Sequence, residues 1–264
     1  AAPGWYQHQV VRVGDGIAIM NRNITERKAA QQREFQLALE KERLNLLMTF
    51  VQNAAHEFRT PLSIIGTSAH LMVNSDDPAR RQARAAKIAD QINRMTRLVD
   101  MLLLMARIQG GDMLTQTHVN IRTLVQALCQ RMTTVWGETP TLHCDLGMTV
   151  PPVWANEEYL GEAVWQVLDN AYIWTPPEGD IRLTLGADEA SVWLTVTDSG
   201  PGIPPEHLPH IFDLFYRGDK AHSTPGLGLG LSIARAIIIH HGGTIKVHSP
   251  PEQGTTVTVR LPIP

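Results

Sequence analysis

Cysteine is scarce in this sequence, which has only Cys129 and Cys144 among its 264 residues. Two cysteines are too few for a disulfide framework, and their spacing matches no metal-binding motif, so we interpret both as reduced thiols in a reducing compartment. No apolar run reaches the roughly 18 residues that a membrane-spanning helix needs, and no secretory signal is present. The chain starts at Ala1 rather than Met, which predicts a fragment and leaves open a membrane anchor in the full-length protein. We expect the fragment to be cytoplasmic.

Aromatic side chains are absent from the most basic stretch, residues 78–109, which carries seven basic and two acidic residues. Residues 1–110 as a whole hold 15 Lys and Arg against 10 Asp and Glu, whereas residues 111–264 hold 8 against 16. Without aromatic side chains to stack on bases, the basic stretch is a poor candidate for nucleic-acid binding. An acidic protein partner or the acidic C-terminal half fits better, and a solvated helix face explains most of these charges equally well.

Two short alternating segments open the chain. Apolar and polar residues alternate in 9–13 and 17–20, and the Gly-Asp-Gly at 14–16 is typical of a hairpin turn. A helical pattern follows from Asn23 onwards. This arrangement resembles the last hairpin and exit of a PAS sensor domain, although that exit usually begins with Asp. The resemblance implies that residues 1–24 are the C-terminal remnant of such a domain.

Apolar residues recur at heptad spacing along residues 25–74, which predicts one long helix with a charged, coiled-coil-like first half. A second helix is predicted over 78–109, where Asp77 can cap the first turn. Because each helix carries one apolar stripe, we expect an antiparallel hairpin that dimerises into a four-helix bundle. The stripes are Leu37, Leu44, Met48, Val51, Ala55, Phe58 and Leu62 in the first helix, and Ala85, Ile88, Ile92, Met95, Val99, Leu102 and Ala106 in the second.

After Gly110 and Gly111 the pattern changes to alternating helices and strands. This order predicts an α/β sandwich with helices on one face of a mixed sheet, so the chain is multi-domain, with an all-α hairpin before the α/β domain. Helices are predicted over 120–135, 156–173 and 228–241, and strands over 140–146, 180–186, 191–198, 243–249 and 255–261.

His56 lies outside the heptad positions, and the residues one turn away from it are polar. The imidazole is therefore expected on a solvated helix face with the carboxylate of Glu57 beside it. Pro61 removes one backbone donor and is expected to kink the helix a turn later. A lone exposed histidine is usually a solvated surface residue, so any functional interpretation depends on the residues around it and on a phosphoryl donor elsewhere in the chain.

Three later segments have features suited to a nucleotide. Asp198 ends a predicted strand just before Gly200 and Gly202, so its carboxylate can accept a hydrogen bond from an exocyclic amine while the glycines let backbone approach a flat base. Residues 226–231 precede a helix whose N-terminus can hold phosphate oxygens, but they lack the Gly-Lys-Ser/Thr ending of a P-loop. Asn170 can offer a carbonyl oxygen to Mg²⁺ that also contacts phosphates.

Taken in order, these motifs resemble those of the sensor histidine kinases of two-component signalling, over roughly residues 40–264. The string His-Glu-Phe-Arg-Thr-Pro-Leu from His56 is similar to the phospho-acceptor box, and Asp169-Asn170-Ala171 is similar to the N box. The other matching segments are 198–203 for the first glycine box, 212–217 for the F box, 226–231 for the second glycine box and 254–256 for the last one.

The resemblance implies a domain layout and a set of roles. Residues 25–45 are expected to be a coiled-coil connector, 46–110 the dimerisation and phospho-acceptor domain, and 111–264 a Bergerat-type catalytic ATP-binding domain with a lid over about 204–225. His56 is the expected phospho-acceptor, Glu57 its general base or orienter, and Thr60 the residue that orients water for dephosphorylating a partner. Asn170 is expected to hold Mg²⁺ through the ATP phosphates. The expected nucleotide contacts are Asn170, Trp174, Asp198, Gly200, Gly202, Ile203, Arg217, Lys220, Gly226, Gly228, Leu229, Gly230 and Thr256.

The implied function is autophosphorylation of His56 from ATP and transfer to an Asp of a response-regulator receiver, in a homodimer under an upstream sensor domain. Two departures from the family pattern stand out. Gln166 replaces a further Asn of the N box, and Ile173 replaces its usual Lys or Arg, which removes a cation from the triphosphate site. A phosphatase-biased or low-activity module is therefore the main alternative. An ATP-driven clamp of the gyrase sort is less favoured, and no direct nucleic-acid partner is expected.

Overall fold

The computed structural model describes residues 4–110, 115–218 and 228–264. It consists of two compact units, the first extending to Arg59 and the second running from Thr60 to Pro264. Among the described residues, no helix is both long and apolar enough to cross a membrane.

The first unit begins with an antiparallel hairpin of β1 (Tyr6–Val13) and β2 (Gly16–Asn23). Gly14 in the turn has a φ of +59°, a left-handed conformation that glycine adopts at no steric cost. The side chain of Asn23 accepts a hydrogen bond of 2.9 Å from the backbone N–H of Thr25, where the long helix α1 (Thr25–Val73) starts. Asn23 thus supplies the side-chain oxygen at a position where the PAS-like pattern usually has Asp.

Helix α1 is continuous over 49 residues and includes Pro61. The apolar residues of its heptad pattern are largely exposed in the single chain, at 57% for Leu44, 67% for Met48 and 54% for Leu62. Burying such a stripe is favourable, so a helical partner would stabilise this face.

Helix α2 (Pro78–Gly110) has proline at its first position, and the side chain of Asp77 accepts the N–H of Ala79 at 2.9 Å. In the single chain the predicted apolar stripe is partly covered, since Ile92 and Val99 are exposed whereas Ile88, Met95 and Leu102 are half-buried. The side chains that α2 buries are Leu98, Met105 and Ile108.

The α/β domain contains every predicted helix and strand within two residues of its predicted ends. Five strands form a mixed sheet in the order β4-β6-β7-β9-β8, in which only β4 and β6 are parallel. Alternate residues of β6, β7 and β9 are buried, so the sheet packs one face on the helices. The elements are β3 (Thr117–Val119), α3 (Ile121–Trp136), β4 (Thr141–Leu146), β5 (Val153–Ala155), α4 (Glu157–Trp174), β6 (Asp180–Ala187), β7 (Ser191–Asp198), α5 (Gly230–His240), β8 (Thr244–His248) and β9 (Thr255–Pro262), with a 3₁₀ turn at Leu208–His210.

Two features of this domain were not predicted. Strands β3 and β5 pair as a separate two-stranded sheet, and each has only three residues, too few for a visible alternation. Cys129 of α3 and Cys144 of β4 form a disulfide, so the prediction of two reduced thiols is wrong. The chain turns back between α3 and β4, which brings together two side chains 15 positions apart.

Candidate functional site

His56 is exposed on α1, as its place outside the heptad pattern predicts. Ala54 on the same helix is buried, and Glu57 next to the histidine is half-buried. Thr60, four residues beyond His56, is exposed. The helix therefore presents an imidazole and a hydroxyl to solvent, with a carboxylate adjacent to the imidazole in sequence.

The second unit contains a cavity of about 700 Å³ between α2, α4 and the segments that follow β7. A volume of that size lies in the ordinary range for small-molecule and cofactor sites. Seven of the residues expected to contact nucleotide line it, namely Asn170, Trp174, Gly202, Ile203, Arg217, Gly228 and Gly230. Lys220 and Gly226 lie outside the described residues, as does the part of the expected lid from 219 to 225.

Helix α4 positions Asn170 on the wall of this cavity. The helix starts after Asn156, whose side chain accepts the backbone N–H of Tyr159 at 3.1 Å and so caps the first turn. One face of α4, including Leu168 and Ala171, is buried in the core. That packing leaves Asn170 half-buried at the cavity, where its amide oxygen can face a ligand.

Asp198 is the last residue of β7 and continues the alternation that buries every second side chain of that strand. Its Oδ1 accepts two backbone N–H groups, that of Gly200 at 2.9 Å and that of Thr255 at 3.1 Å. Burial raises the pKa of Asp198, and the two backbone hydrogen bonds oppose that shift. Both hydrogen bonds from the described residues go to Oδ1, so Oδ2 remains as an acceptor. The carboxylate itself lies behind the cavity wall, with Thr255 as its neighbour on the lining.

The first glycine box is closely packed. A β-carbon on Gly200 would lie 2.7 Å from the carbonyl oxygen of Trp174 and 2.8 Å from Oδ1 of Asp198. Gly202 has a φ of +73°, and a side chain there would collide with the backbone carbonyl of Pro250. Only glycine lets the backbone follow this path beside the cavity.

The described part of the second glycine box is held in place at Gly228 and at its entry into α5. Gly228 has a φ of +67°, and its carbonyl accepts the backbone N–H of Phe215 at 2.8 Å. Leu229 is buried in the core rather than on the cavity lining. Gly230 begins α5 against Gln166, whose Oε1 lies 2.6 Å from where a β-carbon would stand. Thr256, another expected contact, is not on the cavity lining either. Its hydroxyl group forms a hydrogen bond of 3.1 Å with the hydroxyl group of Thr197.

Gln166, one of the two departures from the N-box pattern, is buried on the cavity lining. Its Nε2 donates a hydrogen bond of 2.6 Å to Oε1 of Glu162, one turn earlier in α4. The longer side chain is therefore satisfied by its own helix and packs against the start of α5. Ile173, the other departure, is half-buried on the same wall, next to Trp174, which is 39% exposed.

Several residues of the cavity lining were not predicted from the sequence. Trp136, the last residue of α3, donates from Nε1 to Oδ1 of Asp169 at 3.2 Å and stacks on Tyr172 with 5.9 Å between ring centroids. Burial raises the pKa of Asp169, while the Trp136 hydrogen bond and the charge of Arg97 lower it. Helix α2 contributes four lining residues, Asp90, Arg94, Arg97 and Met101. Their spacing of four, three and four was a detectable signal, because it marks one face of a helix.

Two family models match this chain. Residues 46–111 match the His Kinase A (phospho-acceptor) domain, and residues 155–264 match the family of histidine kinase-, DNA gyrase B- and HSP90-like ATPases. The first match contains His56, and the second contains Asn170, Asp198 and the glycine boxes.

Two curated relatives match most of the chain. The sensor histidine kinase YkoH of Bacillus subtilis (strain 168) is 34% identical over 225 residues, which cover 84% of this chain and 49% of that protein. The signal transduction histidine-protein kinase/phosphatase MprB of Mycolicibacterium vanbaalenii is 33% identical over 240 residues, which cover 86% of this chain and 48% of that protein. The chain therefore spans about half the length of these relatives.

A solved structure shares the fold over almost the whole chain. The histidine kinase ThkA, in its complex with the response regulator protein TrrA, aligns with a TM-score of 0.70 at 23% identity, covering 98% of this chain and 79% of that one. This likeness shows that a helical hairpin followed by this α/β domain is a known arrangement.

Proposed function

This chain belongs to the sensor histidine kinases of two-component signalling, and we propose that it transfers the γ-phosphoryl group of ATP to His56. The observation that carries the proposal is a nucleotide-sized cavity with Asn170 on its wall, in the same chain as a solvent-facing His56. ATP use is a property of the ATPase family that residues 155–264 match.

We assign adenine to the part of the cavity beside Gly202 and Ile203, and the phosphates to the part beside Arg217 and Gly230. For Oδ2 of the buried Asp198 to accept the exocyclic amine of adenine, the base must enter the cavity wall beside Thr255, while Oδ1 stays bonded to the N–H groups of Gly200 and Thr255. The backbone around Gly202 approaches the base from the side. Arg217 and the N-terminus of α5 at Gly230 face the phosphates, where positive charge and free N–H groups stabilise them.

Asn170 fits a magnesium site that is completed by the nucleotide. It offers one neutral oxygen on the cavity wall, and Mg²⁺ in nucleotide sites commonly keeps phosphate oxygens and waters as its other ligands. When bound, the ion neutralises charge that develops on the phosphates during transfer. The protein's own contribution is to hold the amide oxygen in place through the buried face of α4.

The chemistry at His56 requires a neutral imidazole with one nitrogen free to attack. Glu57 accepts a hydrogen bond from Nδ1–H, which fixes the tautomer and leaves the lone pair of Nε2 available. Nε2 forms a bond to the γ-phosphorus, the bond from that phosphorus to the bridging oxygen breaks, and ADP leaves. The Nδ1 proton passes to Glu57 as the phosphohistidine forms.

We further propose that the chain works as a homodimer and passes the phosphoryl group to an Asp of a receiver domain. The exposed heptad stripe of α1 supports dimerisation, because a second copy would bury it in a helical bundle. The receiver is suggested by the solved complex of ThkA with TrrA. An upstream sensor domain is supported by the β1–β2 hairpin, which exposes Val10 on one face and Met20 on the other and so offers apolar surface to a neighbour. ATP and the receiver as substrates imply a cytoplasmic location.

Incubation with γ-labelled ATP and Mg²⁺ tests the transfer. The wild-type chain should acquire label that is stable in base and labile in acid, and His56→Gln should lose it. His70→Gln is the matched control, because His70 is another exposed histidine of α1. Asn170→Ala should lower the transfer rate about 100-fold while the chain stays folded. ATP hydrolysis without labelled protein would instead support a clamp ATPase.

A phosphatase-biased module is the second candidate, favoured by Ile173 at the usual cation position and by the kinase/phosphatase MprB among the relatives. Thr60 is exposed one turn beyond His56 and can orient a water towards a phosphorylated receiver. Thr60→Ala should then dephosphorylate the receiver more slowly while His56 is labelled at the wild-type rate. Equal dephosphorylation by both proteins would exclude this role for Thr60.

A further inference from the structure

Helix α2 forms one wall of the nucleotide cavity with a single face. Asp90, Arg94, Arg97 and Met101 line the cavity, and the intervals of four, three and four residues place them on one stripe of the helix. This stripe is distinct from the apolar stripe that the heptad pattern marks for the bundle. Helix α2 thus presents one face suited to the bundle and a second, charged face to the cavity.

The wall of α4 that borders the same cavity carries Gln166, Asp169, Asn170, Ile173 and Trp174. Ile173 occupies the position where the family pattern commonly has Lys or Arg, so α4 contributes two amides, a carboxylate and two largely apolar side chains but no cation. The negative charges that α2 and α4 bring to the cavity are Asp90 and Asp169, and the positive ones are Arg94 and Arg97.

We propose that Arg97, assisted by Arg94, supplies the cation for the nucleotide phosphates that position 173 lacks. The inference rests on the proposed function, because it assigns a residue to the phosphate end of the same cavity. A guanidinium has five N–H donors in a planar fork that can pair with two phosphate oxygens, so one arginine from a neighbouring helix can replace a lysine on α4.

Arg97 and Asp169 line the same cavity from neighbouring helices. The charge of Arg97 lowers the pKa of Asp169, against the larger effect of burial. Oδ1 of Asp169 already accepts the Trp136 N–H. Phosphates held at Asn170, the next residue of α4, would carry more charge than this carboxylate with which to attract the guanidinium.

A phosphate-binding cation on α2 differs in its effect from one on α4. Because Arg97 belongs to the helical hairpin, a bound triphosphate links α2 to the α/β domain through charge. Nucleotides with more phosphates should hold α2 against the domain more firmly than adenosine does. A lysine at position 173 would bind phosphates without that link.

Binding measurements on the whole chain test the assignment. Titration calorimetry should show Arg97→Ala binding ATP about five- to tenfold more weakly than wild type, with adenosine binding unchanged. Arg97→Lys should retain most of the ATP affinity. Arg81→Ala is the matched control, because it removes one arginine from the exposed first turns of α2, away from the cavity. It should bind ATP as wild type does.

A second test restores a cation at position 173, where the family pattern commonly has Lys or Arg. Ile173→Lys in the Arg97→Ala background should recover most of the lost ATP affinity, because the new ammonium faces the same phosphates. Equal ATP affinity of wild type and Arg97→Ala, or a parallel loss of adenosine binding, would overturn the role of Arg97. A wild-type chain that binds ATP but labels no histidine would contradict the proposed function and leave the Arg97 assignment standing.

Discussion

Nε2 of His241, at the end of α5, accepts the backbone N–H of Asn156 at 3.0 Å, just before α4 begins. The other ring nitrogen, Nδ1, donates to the carbonyl of Ile237 at 2.7 Å. One neutral imidazole therefore joins the end of the helix that follows the second glycine box to the cap of the helix that carries Asn170. The two helices that flank the nucleotide cavity are fixed to each other on the side remote from it.

This link predicts a pH dependence of stability. Burial lowers the pKa of His241 below its ordinary value of 6.5, with the Ile237 carbonyl opposing the shift. The unfolded chain then binds a proton at pH values where the folded chain does not. The contribution of His241 to the free energy of unfolding is complete above pH 6.5 and should decline below it, by up to about 1.4 kcal/mol per unit.

Urea denaturation at several pH values between about 5 and 8 measures this decline. His241→Gln should be less stable than wild type near neutral pH but should lose less stability on acidification. The exposed His248 provides the control, because His248→Gln should retain the wild-type slope. Identical slopes for wild type and His241→Gln would show that His241 does not contribute.

Asp198→Asn should weaken ATP binding about tenfold or more without unfolding the domain. The amide can keep an oxygen towards the N–H groups of Gly200 and Thr255, so the turn after β7 stays satisfied. The NH₂ group of the new amide takes the place of Oδ2 and faces the exocyclic amine of adenine, so two hydrogen-bond donors oppose each other. Calorimetric titration with ATP checks the loss, and a thermal melt checks the fold. If Asp198→Asn bound ATP with wild-type affinity, Asp198 would have no role in adenine recognition.

Gly200→Ala should lower both stability and ATP affinity. The new methyl group would stand 2.7 Å from the Trp174 carbonyl oxygen, so backbone must move, at a cost of about 1–3 kcal/mol. Urea denaturation measures the change in the free energy of unfolding. Gly66→Ala is the control, because Gly66 lies inside α1 with open space around its β-carbon position, and there alanine should stabilise by about 0.5–1 kcal/mol. A stable Gly200→Ala protein with normal ATP binding would contradict the close packing.

Val51→Asp and Leu44→Asp should convert a dimer into monomers. Both side chains are more than half exposed in the single chain, at 56% and 57%, and both belong to the heptad stripe. A carboxylate buried in a bundle without a partner is strongly unfavourable. Sedimentation velocity checks the mass, and Gln36→Asp, exposed on α1 outside the stripe, should stay dimeric. A wild-type chain that is monomeric at high concentration would refute the bundle.

Elements with clear local periodicity could be predicted from the sequence. The buried face of α4 and the alternation of β7 were visible, and the alternation places Asp198 inward at the strand end. Strands β3 and β5 could not be predicted, because three residues fit several patterns. The disulfide between Cys129 and Cys144 depends on how α3 and β4 lie together, which no local pattern encodes.

In the candidate site, too, residues in recognisable motifs could be predicted and residues that depend on tertiary contacts could not. Glycines and Asn170 stand in recognisable motifs, so their place near one cavity could be predicted. The face of α2 that carries Arg97 could be recognised as a stripe, but periodicity does not indicate which neighbour a polar stripe meets. Thr256 and Leu229 belong to matching motifs, yet the pleat of β9 and the burial of Leu229 direct them away from the cavity lining.

The hydrogen bond from the N–H of Phe215 to the carbonyl of Gly228 holds together the two ends of the stretch 216–227. Where two residues are bonded to each other in this way, the segment between them can change length cheaply, since the entropy of closure rises by only about 0.6 kcal/mol for each doubling. Insertions or replacements between these two anchors should therefore leave the register of the sheet and the start of α5 intact. The catalytic domain can diversify here, by grafting or by evolution, without rebuilding its core.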